Sequence, residues 1–149
     1  MACLKMILAH RTGTIIPIVL LGKNCAKYGG YDMPLESSMG LKYAPFVRYL
    51  RGEFRISAKV ASPLPISQVI YELAHGSYVM ASVSSSIRDP KSKPNNRGGH
   101  LVLILGYDLH EQMLYMHNPS GGSLKSDAYA EVSFKDFTKF SATRGVVIF

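Results

Sequence analysis

The apolar residues of this chain change their period near its middle, and that change limits the folds open to it. In the first half they recur at intervals of three and four, which marks one face of a helix. Later they alternate or run continuously over strand-length stretches. Leu4, Ile7 and Leu8 share a helical face that Gly13 closes. Pro17, a residue favoured in a first turn, opens a second helix reaching Tyr28, with Ile18, Leu21 and Cys25 inward and Gly29 and Gly30 at its end. Phe46, Val47 and Leu50 mark a third helix, stopped by Gly52. Val69, Ile70 and Leu73 mark a fourth, running from near Pro65 to Gly76.

From Tyr78 onwards the reading is strands. Val79, Ala81 and Val83 alternate with Met80 and Ser82, as in a strand with one buried face. Leu101 to Tyr107 is a continuous apolar run, short enough for a strand buried on both faces. A turn over 108–112 returns the chain as Met113 to His117, and Tyr129 to Val132 is a further short strand. Ser133 and Asp136 have the spacing of a helix cap, ahead of Phe134, Phe137 and Phe140. Residues 145–149 form a last strand. Helices first and hairpin-linked strands afterwards predict an α+β fold, with helices packed on an antiparallel sheet. No repeat or linker divides the 149 residues, so 1–149 is expected to be a single domain.

The net charge of +7 raises the question of nucleic acid or a membrane as partner. The cations are scattered, and the densest group (Arg88, Lys91, Lys93, Arg97) shares a Pro/Asn/Gly loop with Asp89. This reads as a solvated surface, with no nucleic-acid partner. The opening apolar stretch contains Lys5 and lacks a cleavage site after it, and the run 14–21 is broken by Pro17 and falls far short of a membrane span. No membrane partner is expected, and the expected compartment is the cytoplasm. Two cysteines, Cys3 and Cys25, make no disulfide framework. Cys25 lies on an apolar helix face and is expected to be a buried, unreactive thiol.

Of the five histidines, His10 and His75 fall at helix ends, where a cation suits the helix dipole. His110 lies in a polar turn, and His110 and His117 lack the companions a metal site needs, so neither a metal nor any other cofactor is expected. His100 stands apart. It follows Arg97-Gly98-Gly99 and precedes the most apolar strand, a position suited to a general base. If 101–107 and 113–117 form a hairpin, the start of one strand lies beside the end of the other. His100 and Asn118 are then neighbours although 18 positions apart in sequence. An amide there can accept a hydrogen bond from the imidazole and fix its tautomer, as a Cys-His-Asn system requires.

Three motifs now stand in order: Met1-Ala2-Cys3-Leu4-Lys5-Met6-Ile7, Gly99-His100 with Gly106-Tyr107-Asp108, and Asn118-Pro119 within His117-Asn118-Pro119-Ser120-Gly121-Gly122. Together they resemble the bacteriocin-processing cysteine peptidases in their stand-alone form. The resemblance implies a papain-like fold, thiol peptidase chemistry on a peptide or protein substrate, and catalytic roles for His100 and Asn118. In that family the first motif reads Cys-Gly-X-Ala-Cys-Leu-X-Met-Ile, with the first cysteine as nucleophile. Matched to it, Cys3 takes the second, non-catalytic position, and the nucleophile falls just before Met1, as does the oxyanion-hole glutamine further upstream. The chain is therefore expected to lack the segment upstream of Met1, with Cys3 a bystander. Two rivals share these residues: a peptide-binding protein without cleavage, and a thiol amidohydrolase or acyltransferase on the same fold.

Overall fold

The computed structural model describes residues 1–34, 40–89, 91–119 and 128–149. The chain falls into two compact units, one of residues 1–60 with 148–149 and one of residues 61–147.

Among the described residues the first unit carries the helices α1 (Ala2–Thr12), α2 (Ile18–Lys27) and α3 (Tyr43–Phe54). Gly13 ends α1 in the left-handed conformation, φ 70°, as its position predicted. On α2 the inward residues are Leu21, Gly22 and Cys25; Ile18, expected inward, is 46% exposed, because it occupies the first turn. Gly52 does not stop α3, which continues to Phe54. The residue serves a close approach instead. A Cβ there would lie 2.6 Å from the Tyr28 hydroxyl, so only glycine lets the helix pass the Tyr28 ring. Tyr28 packs at 5.5 Å on Tyr49, and Tyr49 meets Phe54 edge-on at 5.4 Å.

Among the described residues six strands form one sheet, ordered β1-β6-β2-β3-β4-β5. They are β1 (Ala58–Ala61), β2 (Tyr78–Val83), β3 (His100–Asp108), β4 (Met113–His117), β5 (Ala130–Ser133) and β6 (Ser141–Ile148). The pairs β2–β3, β3–β4 and β4–β5 are antiparallel. The fold is α+β, as the period change predicted. Helices α4 (Ile66–Ala74) and α5 (Phe134–Phe140) belong to the second unit, whose core joins Val69, Phe137 and Phe140 to Val79, Ala81, Val83, Val102, Ile104 and Leu114. Full burial of each Val, Leu, Ile or Phe side chain among them contributes about 1.5–3 kcal/mol. The Ser133 hydroxyl accepts the Asp136 amide at 3.0 Å and so caps α5 as its spacing predicted.

Four details of the strands depart from the sequence reading. β1 was not foreseen, because four residues of Ala-Lys-Val-Ala carry too short a pattern. β2 is buried on both faces from Val79 to Val83 rather than on alternate residues, since it lies inside the sheet. Conversely, β3 is not buried throughout: Leu105 is 38% exposed, where a register shift between Ile104 and Gly106 interrupts the ladder. β6 begins at Ser141, ahead of the expected start at Gly145.

Candidate functional site

His100 is the first residue of β3, and two glycines deliver it there. Gly98 and Gly99 have φ of 98° and 91°, which an L side chain rarely adopts. Gly98 is also packed: a Cβ on it would lie 2.7 Å from Ser82 Oγ and 3.2 Å from an Arg144 guanidinium nitrogen. On one flank His100 pairs with Val83 of β2. On the other flank Leu103 pairs with His117, so one step along the ladder sets Asn118 opposite Val102. His100 is two residues from Val102 and therefore on the same face, in diagonal reach of Asn118.

The side chains meet. His100 Nε2 and Asn118 Oδ1 are 2.5 Å apart, His100 half-buried and Asn118 only 1% exposed. The amide oxygen can only accept, so the proton of this bond sits on Nε2. In the neutral ring Nδ1 is then the unprotonated nitrogen. The hydrogen bond thus sets both the orientation of the imidazole and the atom that could take a proton. Of the motif that carries Asn118, Ser120, Gly121 and Gly122 lie outside the described residues.

The other histidines are placed elsewhere. His10 is in the last turn of α1. His75 follows α4, its Nδ1 2.7 Å from the Tyr71 carbonyl oxygen and its ring 4.1 Å from that of Tyr71. His110 is exposed beside Glu111 in the β3–β4 turn. His117 pairs with Leu103 within β4. Among the described residues no three His, Cys, Asp or Glu side chains gather as a metal site would need.

Both thiols are enclosed in the first unit. Cys3 is 2% exposed and Cys25 is fully buried, with Gly30 so close that a Cβ there would lie 2.2 Å from Cys25 Sγ. Burial disfavours the thiolate and pushes each thiol up to about 11. Burial likewise pushes the Tyr31 and Tyr49 hydroxyls up to about 12. All four groups hold their proton more tightly when folded, so the folded state binds more protons than the unfolded state above about pH 9. Their contribution is complete below that pH and is lost as pH rises through the folded values. The urea midpoint is therefore expected to fall between about pH 8 and about pH 11, with iodoacetamide slow at both cysteines until the chain unfolds. A midpoint that holds or rises over this range, or rapid native alkylation of Cys25, contradicts the buried neutral thiols.

Three features near the site, and a fourth on α4, escaped the sequence reading. Ser82 Oγ is buried, with no hydrogen-bond partner among the described residues, against Gly98. Arg144 reaches the same glycine from β6, whose early start hid it. Asn95 ties the loop ahead of His100 to Ser84 and Ser86, each at 2.7 Å, a network with no periodic signature. Glu72, at 3% exposure, is a buried carboxylate on α4 held by Gln68 Nε2 at 2.8 Å. Its spacing of three from Val69 was the signal that could have found it.

No helix among the described residues is long and apolar enough to cross a membrane. No curated protein matches the sequence. A family model described as "Peptidase_C39 like family" matches residues 1–146.

Proposed function

This chain belongs to the Peptidase_C39 like family, and from that premise we propose that it holds the base and orienting residue of a thiol peptidase acting on peptide or protein substrates. The observation that carries this reading is the 2.5 Å contact between His100 Nε2 and Asn118 Oδ1. In the proposed mechanism His100 Nδ1 takes the proton of a cysteine thiol, and the thiolate adds to the scissile carbonyl carbon. The imidazolium then protonates the leaving amine as the C–N bond breaks. The acyl-enzyme is hydrolysed by a water that His100 activates in turn. Asn118 holds the ring through both proton transfers.

The thiol in this scheme is neither Cys3 nor Cys25. Both are enclosed, and at about 11 their thiolates are scarce near neutral pH. In our reading the nucleophile is the first cysteine of the family's Cys-Gly-X-Ala-Cys motif, outside these 149 residues, which is supported by the match of Cys3 to that motif's second cysteine. The same enclosure of both thiols favours a second reading for the 149 residues alone, peptide binding without cleavage.

The test compares peptide hydrolysis by three versions: the chain as it stands, its Cys3→Ala variant, and the chain extended by Cys-Gly ahead of Met1. The extended version is expected to exceed the other two by at least about 100-fold, the scale of one positioned proton-transfer pair. Equal rates for the original and extended chains, abolished by Cys3→Ala, would make Cys3 the nucleophile and overturn the assignment.

A further inference from the structure

The loop that leads into His100 is built rather than slack. Buried Ser84 donates to Asn95 Oδ1 at 2.7 Å, Ser86 donates to the same oxygen at 2.7 Å, and the Asn95 amide donates to Ser86 Oγ at 3.0 Å. Ser92 Oγ donates to the Asp89 carbonyl at 2.7 Å, and Lys139 Nζ reaches across from α5 to the Ser92 carbonyl at 2.6 Å. At its far end the loop is pinned where Gly98 lies against Ser82 and Arg144.

This pinned loop is strongly cationic. Arg88, Lys91, Lys93 and Arg97 are all exposed, and so is Arg144, whose guanidinium packs on Gly98 two residues from His100. Asp89 is the only carboxylate in the segment 84–99, and it is occupied, its Oδ1 accepting the Lys91 amide at 3.1 Å. The segment holds no aromatic side chain on which a base could stack. Its Ile87 is buried, so it offers a bilayer no apolar wedge. What remains is a set of exposed cations on an anchored stretch of backbone that leads in sequence to the proposed base, and backbone already held loses little entropy when a partner engages it.

We propose that Arg88, Lys91, Lys93 and Arg97 together with Arg144 form a docking rim for acidic peptide, so that the substrates presented to His100 carry carboxylates in the segment lying along this rim. The proposal rests on the thiol-peptidase reading and adds to it the chemical class of the substrate. Bringing carboxylates to a cationic rim raises encounter rates and affinity at low salt, and the gain fades as the Debye length shrinks.

Binding can be measured on the chain as it stands, since no thiol is needed. The probes are three fluorescein-labelled 12-residue peptides that differ only in carrying four Glu, four Gln or four Lys. By anisotropy at about 0.01 M salt the Glu peptide is expected to bind about tenfold tighter than the Gln peptide, with the difference shrinking at about 0.1 M. Lys91→Glu/Lys93→Glu/Arg97→Glu is expected to remove the preference. Lys23→Glu/Lys27→Glu, an exposed reversal in the first unit, is expected to keep it, with circular dichroism showing both variants folded. Equal binding of the Glu and Gln peptides overturns the proposal, as does a preference that survives the triple reversal. So does tighter binding of a single-stranded oligonucleotide or of phosphatidylserine vesicles than of the Glu peptide. Addition of the Glu peptide is further expected to shift the NMR resonances of the His100 ring, and an unmoved ring also overturns it. None of these outcomes depends on the hydrogen bond between His100 and Asn118, so the docking rim can fail while the proposed base stands.

Discussion

In the version extended by Cys-Gly, His100→Ala is expected to lower kcat by about 10,000-fold, with KM changed far less. The imidazole is asked to take the thiol proton and then to return it to the leaving amine, and removing such a group from a nucleophile-base system costs on this scale. Asn118→Ala is expected to lose about 100-fold, since the ring then turns and its proton can sit on either nitrogen. Asn118→Asp keeps an acceptor oxygen opposite Nε2, and its activity is expected to stay within about tenfold of the parent. Asn118 lies 1% exposed at the end of β4, so each variant needs a melting curve beside its kinetics. A fully folded His100→Ala protein that retains activity would remove His100 from the mechanism.

Gly145→Ala is expected to be the most damaging single-methyl substitution in the second unit. The added Cβ would lie 2.2 Å from the Met80 carbonyl oxygen, 3.0 Å from Leu64 Cδ2 and 3.2 Å from the Ala81 Cα. Two of these three atoms belong to the backbone of β2 and cannot rotate away, so the strands must separate. Overpacking of this kind costs about 3 kcal/mol, near the upper end for a core methyl, which corresponds to about 10 °C in Tm for a chain of this size. Gly106→Ala provides the contrast. Its nearest neighbour would be Tyr115 Cδ2 at 3.8 Å, an ordinary contact, and the change is expected to stay within about 1 kcal/mol. Similar melting temperatures for the two variants would show that β6 is not held against β2 as tightly as this spacing requires.

The contact between His100 and Asn118 was legible because it depends only on local rules. A continuous apolar strand, a polar turn and a returning strand fix a hairpin, and a hairpin fixes which residues face each other. The bulge between Ile104 and Gly106 falls between the turn and the site, and it left Leu105 exposed against expectation. Period alone could not tell Gly52 as a helix stop from Gly52 as a seat for the Tyr28 ring, because that choice is made by a residue 24 positions away. The cationic rim was hidden for the same reason. Arg88, Lys91, Lys93 and Arg97 read as an ordinary solvated loop until the bonds of Asn95 and the packing of Gly98 on Arg144 anchored the stretch of chain that carries them ahead of His100. The enclosure of Cys25, by contrast, followed from a helical face whose inner members Leu21 and Cys25 were correctly read, although Ile18 was not.

The tautomer of His100 decides most directly whether this chain carries a peptidase base. Two-bond 1H–15N correlation spectra of the uniformly 15N-labelled protein distinguish a protonated from a bare ring nitrogen, and they need neither substrate nor nucleophile. In the neutral ring the expected result is a proton on Nε2, donated to Asn118 Oδ1, and a bare Nδ1, with Asn118→Ala giving a mixture of the two tautomers. A neutral His100 carrying its proton on Nδ1, or a tautomer indifferent to Asn118→Ala, would contradict it.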